Sequence, residues 1–154
     1  MQLGGARVVV TGASRGIGQS LARHCEVRGA RVALVARSAE PLAKLAADLG
    51  GDAYPADLAD ANAIEPLVAR VEADGPIDVL VNSAGVDLTG ALTELPAAAI
   101  EQLVAVNLLA PILLCRAVIP GMQARGRATS STCRRSRART RCPASSRTRR
   151  RRRG

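Results

Sequence analysis

The chain has 154 residues, 47% of them apolar but only 1% aromatic, with 22 Lys or Arg against 13 Asp or Glu. That length supports one domain with a real core, which must be aliphatic and alanine-rich. No run of eighteen or more apolar residues appears, and the start "MQLGGARVVV" lacks a secretory signal's apolar segment and cleavage site. A membrane span is therefore not expected, and a cytoplasmic protein is.

The net charge of +9 is unevenly placed. Residues 1–124 net −4, whereas residues 125–154 hold thirteen Arg and no acid. The basic excess belongs to the C-terminal segment and does not by itself assign the domain a polyanionic partner. Cys25 and Cys115 fall in helical patterns and read as small buried hydrophobes. Cys133 and Cys142 are too far apart for a C-x-x-C clip, and His24 is the only His, so no metal site is expected.

In chain order, "RVVVT" is a short apolar run that suits a strand buried on both faces. Residues 17–28 carry Ile17, Leu21, Ala22 and Cys25 at helical spacing, and Gly29 stops that helix. "ARVALVA" reads as a second buried strand. Ser38 can cap a helix with Pro41 in an early turn and Gly50 and Gly51 as its stop. "DAYPADL" holds a short third strand, and Asp60 caps the next helix, to about Ala73. "IDVLVNSAG" is a fourth strand and its turn. Pro96 opens a long helical region through Asn107 to about Arg125, interrupted near Pro111. Strand and helix alternate with short links, which predicts a parallel sheet covered by helices on both faces. From Gly126 onward no hydrophobic period survives, and the Arg/Ser/Thr composition predicts disorder. The expected organisation is a doubly wound α/β domain over residues 1–126, cut off after about four strands, and a basic tail over 127–154.

"TGASRGIG" follows the first strand and opens the first helix. Gly12 permits the tight turn, Gly16 lets the backbone approach a phosphate, and Gly18 lets the helix pack on the strand. The helix start then offers free N–H groups and a positive dipole end to a pyrophosphate. Glycines alone are weak; their place between strand and helix is what points to a dinucleotide.

The spacing G-x-x-x-G-x-G resembles that of the short-chain dehydrogenase/reductase family, NAD(P)-dependent oxidoreductases of Rossmann-type fold. "ADL", "NSAG" and "VNLLAP" agree with the family's order and distances over residues 5–126. The resemblance implies cofactor contacts from Gly12, Ser14, Arg15, Gly16, Ile17 and Gly18. It implies others from Asp57 and Leu58 near the adenine and from Asn82, Ala84 and Gly85 beneath the cofactor. It makes Asn107 the one member of the catalytic tetrad present. Bland roles also fit: Asp57 as a turn cap, Asn82 as a tie between strand backbones, Asn107 as a buried structural amide.

Cofactor choice is readable at the end of the second strand. An acid there would favour NAD through the ribose 2′-hydroxyl. This chain has Ala36, Arg37 and Ser38 instead. Arg37, with Arg15 from the glycine loop, can pair with a 2′-phosphate, so NADP(H) is expected over NAD(H).

The family's Ser and Tyr-x-x-x-Lys are missing. The only Tyr is Tyr54 and the only Lys is Lys44, neither at the matching place. By resemblance the substrate is a small carbonyl or secondary alcohol and intact relatives are homo-oligomers, but this chain is expected to be inactive. Two other functions fit the residues: a non-catalytic dinucleotide-binding module, and nucleic-acid binding through the tail. The tail lacks stacking aromatics, so specific nucleic-acid binding is not expected. The arginine run also has a coding explanation. A CGN codon read one base early becomes NCG, for Ser, Pro, Thr or Ala. From Ala128 that shift permits "HVVNVSSLAGTNALPGLVPYSATKAG", which holds a strand, the paired Ser and Tyr-x-x-x-Lys. Residues from about Ala128 are therefore expected to be an out-of-frame product.

Overall fold

The computed structural model describes residues 3–126 and the backbone of the strand Thr129–Thr132. The strands are β1 (Arg7–Thr11), β2 (Arg31–Ala36), β3 (Asp52–Pro55), β4 (Val79–Asn82) and β5 (Thr129–Thr132). The helices are α1 (Gly16–Glu26), α2 (Ala39–Leu49), α3 (Ile64–Ala73), α4 (Ala97–Val104) and α5 (Ala110–Ala124). The sheet is parallel throughout, in the order β3-β2-β1-β4-β5.

The two-residue alternation of a strand divides the core into two layers. Val8 and Val10 of β1 and Val32 and Leu34 of β2 face α1 and α2, where Ala22, Leu42 and Leu45 complete the packing. Val9, Ala33 and Val35 face the other way, against Leu67, Val71, Leu114 and Val118 of α3 and α5. Both faces of the central strands are thus covered, which is why "RVVVT" and "RVALVA" carry almost no polar residue.

Three local expectations change. Ser38 occupies the position before α2, but its side chain makes no capping bond. Asp60 does cap, accepting from the Asn62 N–H at 2.9 Å ahead of α3. Cys25 and Cys115 are half-buried at the margins of the core rather than inside it. The long helix is not broken near Pro111. It runs on as α4 and α5 through a wide π-helical turn at Ala105–Leu109, just before the proline that lacks an N–H. By length and composition the stretch Ala97–Ala124 could cross a membrane; Ala110, Leu114, Val118 and Met122 lie in the core, and Val104, Leu108, Leu109 and Ile112 are exposed.

The sheet also extends one strand further than the sequence suggests, because β5 pairs with β4. That strand lies within the segment expected to be disordered. The rest of that expectation, for residues 127–128 and 133–154, lies outside the described residues.

At the N-terminal end of the strands a buried arginine ties three elements together. Arg7 is 6% exposed. Its Nη1 donates to the Val71 and Gly75 carbonyls, both at 2.8 Å, and its Nη2 to the Tyr54 hydroxyl at 2.7 Å and the Asp52 carboxylate at 3.0 Å. Tyr54 in turn donates to Asp74 at 2.6 Å. Burial, then the bond to Asp74, pushes the Tyr54 pKa up to about 12. The only tyrosine is therefore a structural pin.

The Arg7 fork satisfies two main-chain carbonyls that would otherwise be stranded, so Arg7→Met should cost about 3 kcal/mol in urea unfolding. The native state holds the Tyr54 proton more tightly than the unfolded chain. Its contribution is therefore complete below pH 10 and is lost as pH rises toward 12. Unfolding free energies measured between pH 9 and 12 should show that decline, and Tyr54→Phe should flatten it.

Candidate functional site

The sequence-predicted residues converge at the C-terminal ends of the strands. Gly12, Ser14, Arg15, Gly16, Ile17 and Gly18 make the β1–α1 turn and the start of α1. Arg37 follows β2, Asp57 and Leu58 follow β3, and Asn82, Ala84 and Gly85 close β4. Sheet order reverses between β1 and β4, and the turns of those two strands meet at that point. Open α/β sheets bind ligands at such a reversal.

The contact between the two turns is tight. A Cβ on Gly12 would lie 2.6 Å from Ala84 Cα, and the backbone there has φ +67°. A Cβ on Gly18 would collide with the Gly12 carbonyl, so α1 can sit on the turn only with glycine there. Gly16 is different: its φ is +61°, but the space where its Cβ would project is open. That opening lies at the helix start, where Arg15 supplies no side-chain cap. An uncapped helix start with open space beside Gly16 and the positive end of the helix behind it fits a phosphate.

Thr11, which the glycine spacing does not mark, joins the turns. It is 1% exposed, and its hydroxyl oxygen accepts from the Ser83 and Ala84 N–H groups, both at 3.1 Å. One signal was present: a hydroxyl ending an otherwise apolar buried strand needs a partner.

The remaining residues divide between site and scaffold. Arg15 and Arg37 are exposed, and among the described residues neither forms an ion pair. Asp57 is exposed, and its Oδ1 accepts from Ala59 N–H at 3.0 Å, the turn-cap arrangement. The Leu58 side chain is buried in the core, so only its backbone can face a cofactor. Asn82 is 2% exposed; its Nδ2 lies 3.7 Å from Cys115 Sγ, and its Oδ1 has no partner among the described residues. Asn107 sits in the π-helical turn and pairs with the backbone of Val86. It accepts from the Val86 N–H at 2.9 Å and donates to the Val86 carbonyl at 2.8 Å. Its side chain therefore holds the segment after "NSAG" in place. Tyr54 is level with Thr11 in the sheet, but its hydroxyl turns away to Arg7 and Asp74, and Lys44 is exposed on α2.

With this geometry in view, the chain can be placed among known proteins. The family described as short chain dehydrogenase matches residues 6–131. The chain belongs to that family, an NAD(P)-binding Rossmann-type oxidoreductase class. D-threitol dehydrogenase of Mycolicibacterium smegmatis is 40% identical over 123 residues, covering 76% of this chain and 47% of that protein. A metagenomic short-chain oxidoreductase solved with NADP is 42% identical with a TM-score of 0.79, covering 86% of this chain and 63% of that one. L-Sorbose reductase from Gluconobacter frateurii, solved with NADPH and L-sorbose, is 31% identical with a TM-score of 0.75, covering 82% and 51%. The chain thus spans about half the length of the curated relatives it matches.

Two substitutions separate packing from ligand approach. Gly12→Ala should cost several kcal/mol by driving Ala84 away. Gly16→Ala should cost only about 1–2 kcal/mol from its positive φ. Thr11→Val should cost about 2 kcal/mol by stranding two N–H groups, and Thr11→Ser should recover most of it. Urea unfolding of the four variants checks the order.

Proposed function

We propose that the intact protein transfers hydride between NADP(H) and a small carbonyl or secondary alcohol. The observation that carries this is the paired turn at the β1/β4 reversal: an uncapped helix start beside Gly16, locked by Thr11 to the "NSAG" turn. When bound, the nicotinamide supplies the hydride; the residues described here bind and orient it. The α1 start fits the pyrophosphate, and the exposed arginines Arg15 and Arg37 fit a 2′-phosphate on the adenine ribose. No carboxylate at 36–38 opposes that phosphate. Asn107 acts as a positioning residue, by keeping Val86 against the helix.

The chain as written carries the cofactor half of this chemistry. Its one Tyr is pinned between Arg7 and Asp74, with its proton held up to about pH 12, and cannot serve as the general acid. Binding without turnover is the expected behaviour.

Titration of the full chain with NADPH and NADH, followed by nicotinamide fluorescence, tests the assignment. NADPH should bind at least about tenfold more tightly, consistent with one charge-assisted phosphate contact. Arg37→Ala should erase most of that ratio. Tighter binding of NADH would overturn the NADP(H) preference.

A further inference from the structure

β5 stands in the right place with the wrong chemistry. Its residues Thr129, Ser130, Ser131 and Thr132 run parallel to β4, in register with Val79, Leu80, Val81 and Asn82. Parallel strands beside a buried neighbour are apolar runs, as β1 and β2 are. β5 has only hydroxyls. The composition changes at the same point: from Arg134 to Arg153 there are eleven arginines and no acid.

One property of the genetic code accounts for both facts. A Ser codon TCN read one base early is NTC, which is always Phe, Leu, Ile or Val. A Cys codon TGY becomes NTG, which is always Leu, Met or Val. Large apolar residues therefore appear opposite Ser130, Ser131 and Cys133 whatever the unknown bases are, provided the serines use TCN. The same shift turns each CGN arginine into Ser, Pro, Thr or Ala and removes the charge. The polar strand becomes the apolar one that the sheet requires, and the basic run loses its charge.

We propose that the coding sequence from codon 128 onward carries, one base out of register, the strand and following segment that complete this sheet. One base inserted before the codon of Ala128 restores the frame. The restored frame admits "HVVN" across β5. It admits a Ser aligned with Arg135, a Tyr whose codon straddles Arg147 and Thr148, and a Lys whose codon straddles Arg151 and Arg152. These last three assignments rest on the oxidoreductase reading above; the apolar strand does not.

The test is the nucleotide sequence of the gene across codons 120–154, read independently from source DNA and translated one base early. The expected result is large apolar residues aligned with positions 130, 131 and 133, then Ser and Tyr-x-x-x-Lys, with no stop. That result supports the proposal whether the bases show a missing nucleotide or a genuine frameshift. Serines encoded AGY would give Lys, Gln, Glu or a stop in that frame and overturn it. So would a frame that lacks the apolar strand; a frame that has the strand but lacks Tyr-x-x-x-Lys overturns the oxidoreductase assignments alone. Cofactor binding is measured separately, so a chain that fails to bind NADPH sinks the functional reading and leaves the frame assignment standing.

Discussion

The Thr11 hydroxyl accepts the N–H groups of Ser83 and Ala84, while the missing side chain of Gly12 lets the Ala84 backbone close against the β1 turn. These contacts hold together the ends of the two strands between which the sheet reverses direction. The rest of the site hangs from that junction. Gly18 seats α1 on the Gly12 carbonyl and so aims the helix start into the crevice. "NSAG" then leads to Val86, which Asn107 clamps from the helix side. A change at Gly12 or Thr11 is felt directly by the glycine turn and by the "NSAG" turn.

The two ends of the strands do different work. At one end Arg7, Tyr54, Asp52 and Asp74 form a connected set of hydrogen bonds. A concavity lined by Arg7, Arg31, Asp52, Asp74 and Asp78 opens there, but Arg7 and Tyr54 within this cluster are already engaged with protein partners. At the other end the helix start is uncapped, Arg15 and Arg37 have no ion-pair partner among the described residues, and two glycines have positive φ. Satisfied polar groups stabilise; unsatisfied ones facing open space are available to a ligand.

Much of this was legible in the residues. The apolar runs of β1, β2 and β4 and the glycine stops of the helices depend on local chemistry, so they could be read directly. The glycine loop was legible because three positions needed glycine for separable reasons. What could not be read was set by contacts distant in sequence. The pairing of Thr11 with Ser83 spans 72 positions, and Asn107 reaches Val86 across 21. The place of Leu58 in "ADL" does not reveal that its side chain packs in the core. The π-helical turn ahead of Pro111 was expected only as an interruption, since proline signals a lost N–H but not how the helix absorbs it. β5 was invisible because its residues carry no strand pattern; only its placement beside β4 reveals it.

A dinucleotide bound at the β1/β4 reversal should show its effects at one end of the sheet and not the other. Amide hydrogen exchange of the full chain, with and without NADP+, measures that residue by residue. Binding at the strand reversal predicts slower exchange at residues 12–18, 36–38 and 82–86, with no change around Arg7 and Asp74. Unchanged exchange at 12–18 under saturating NADP+, or protection confined to the Arg7 end, would contradict a dinucleotide site built on the Thr11 junction.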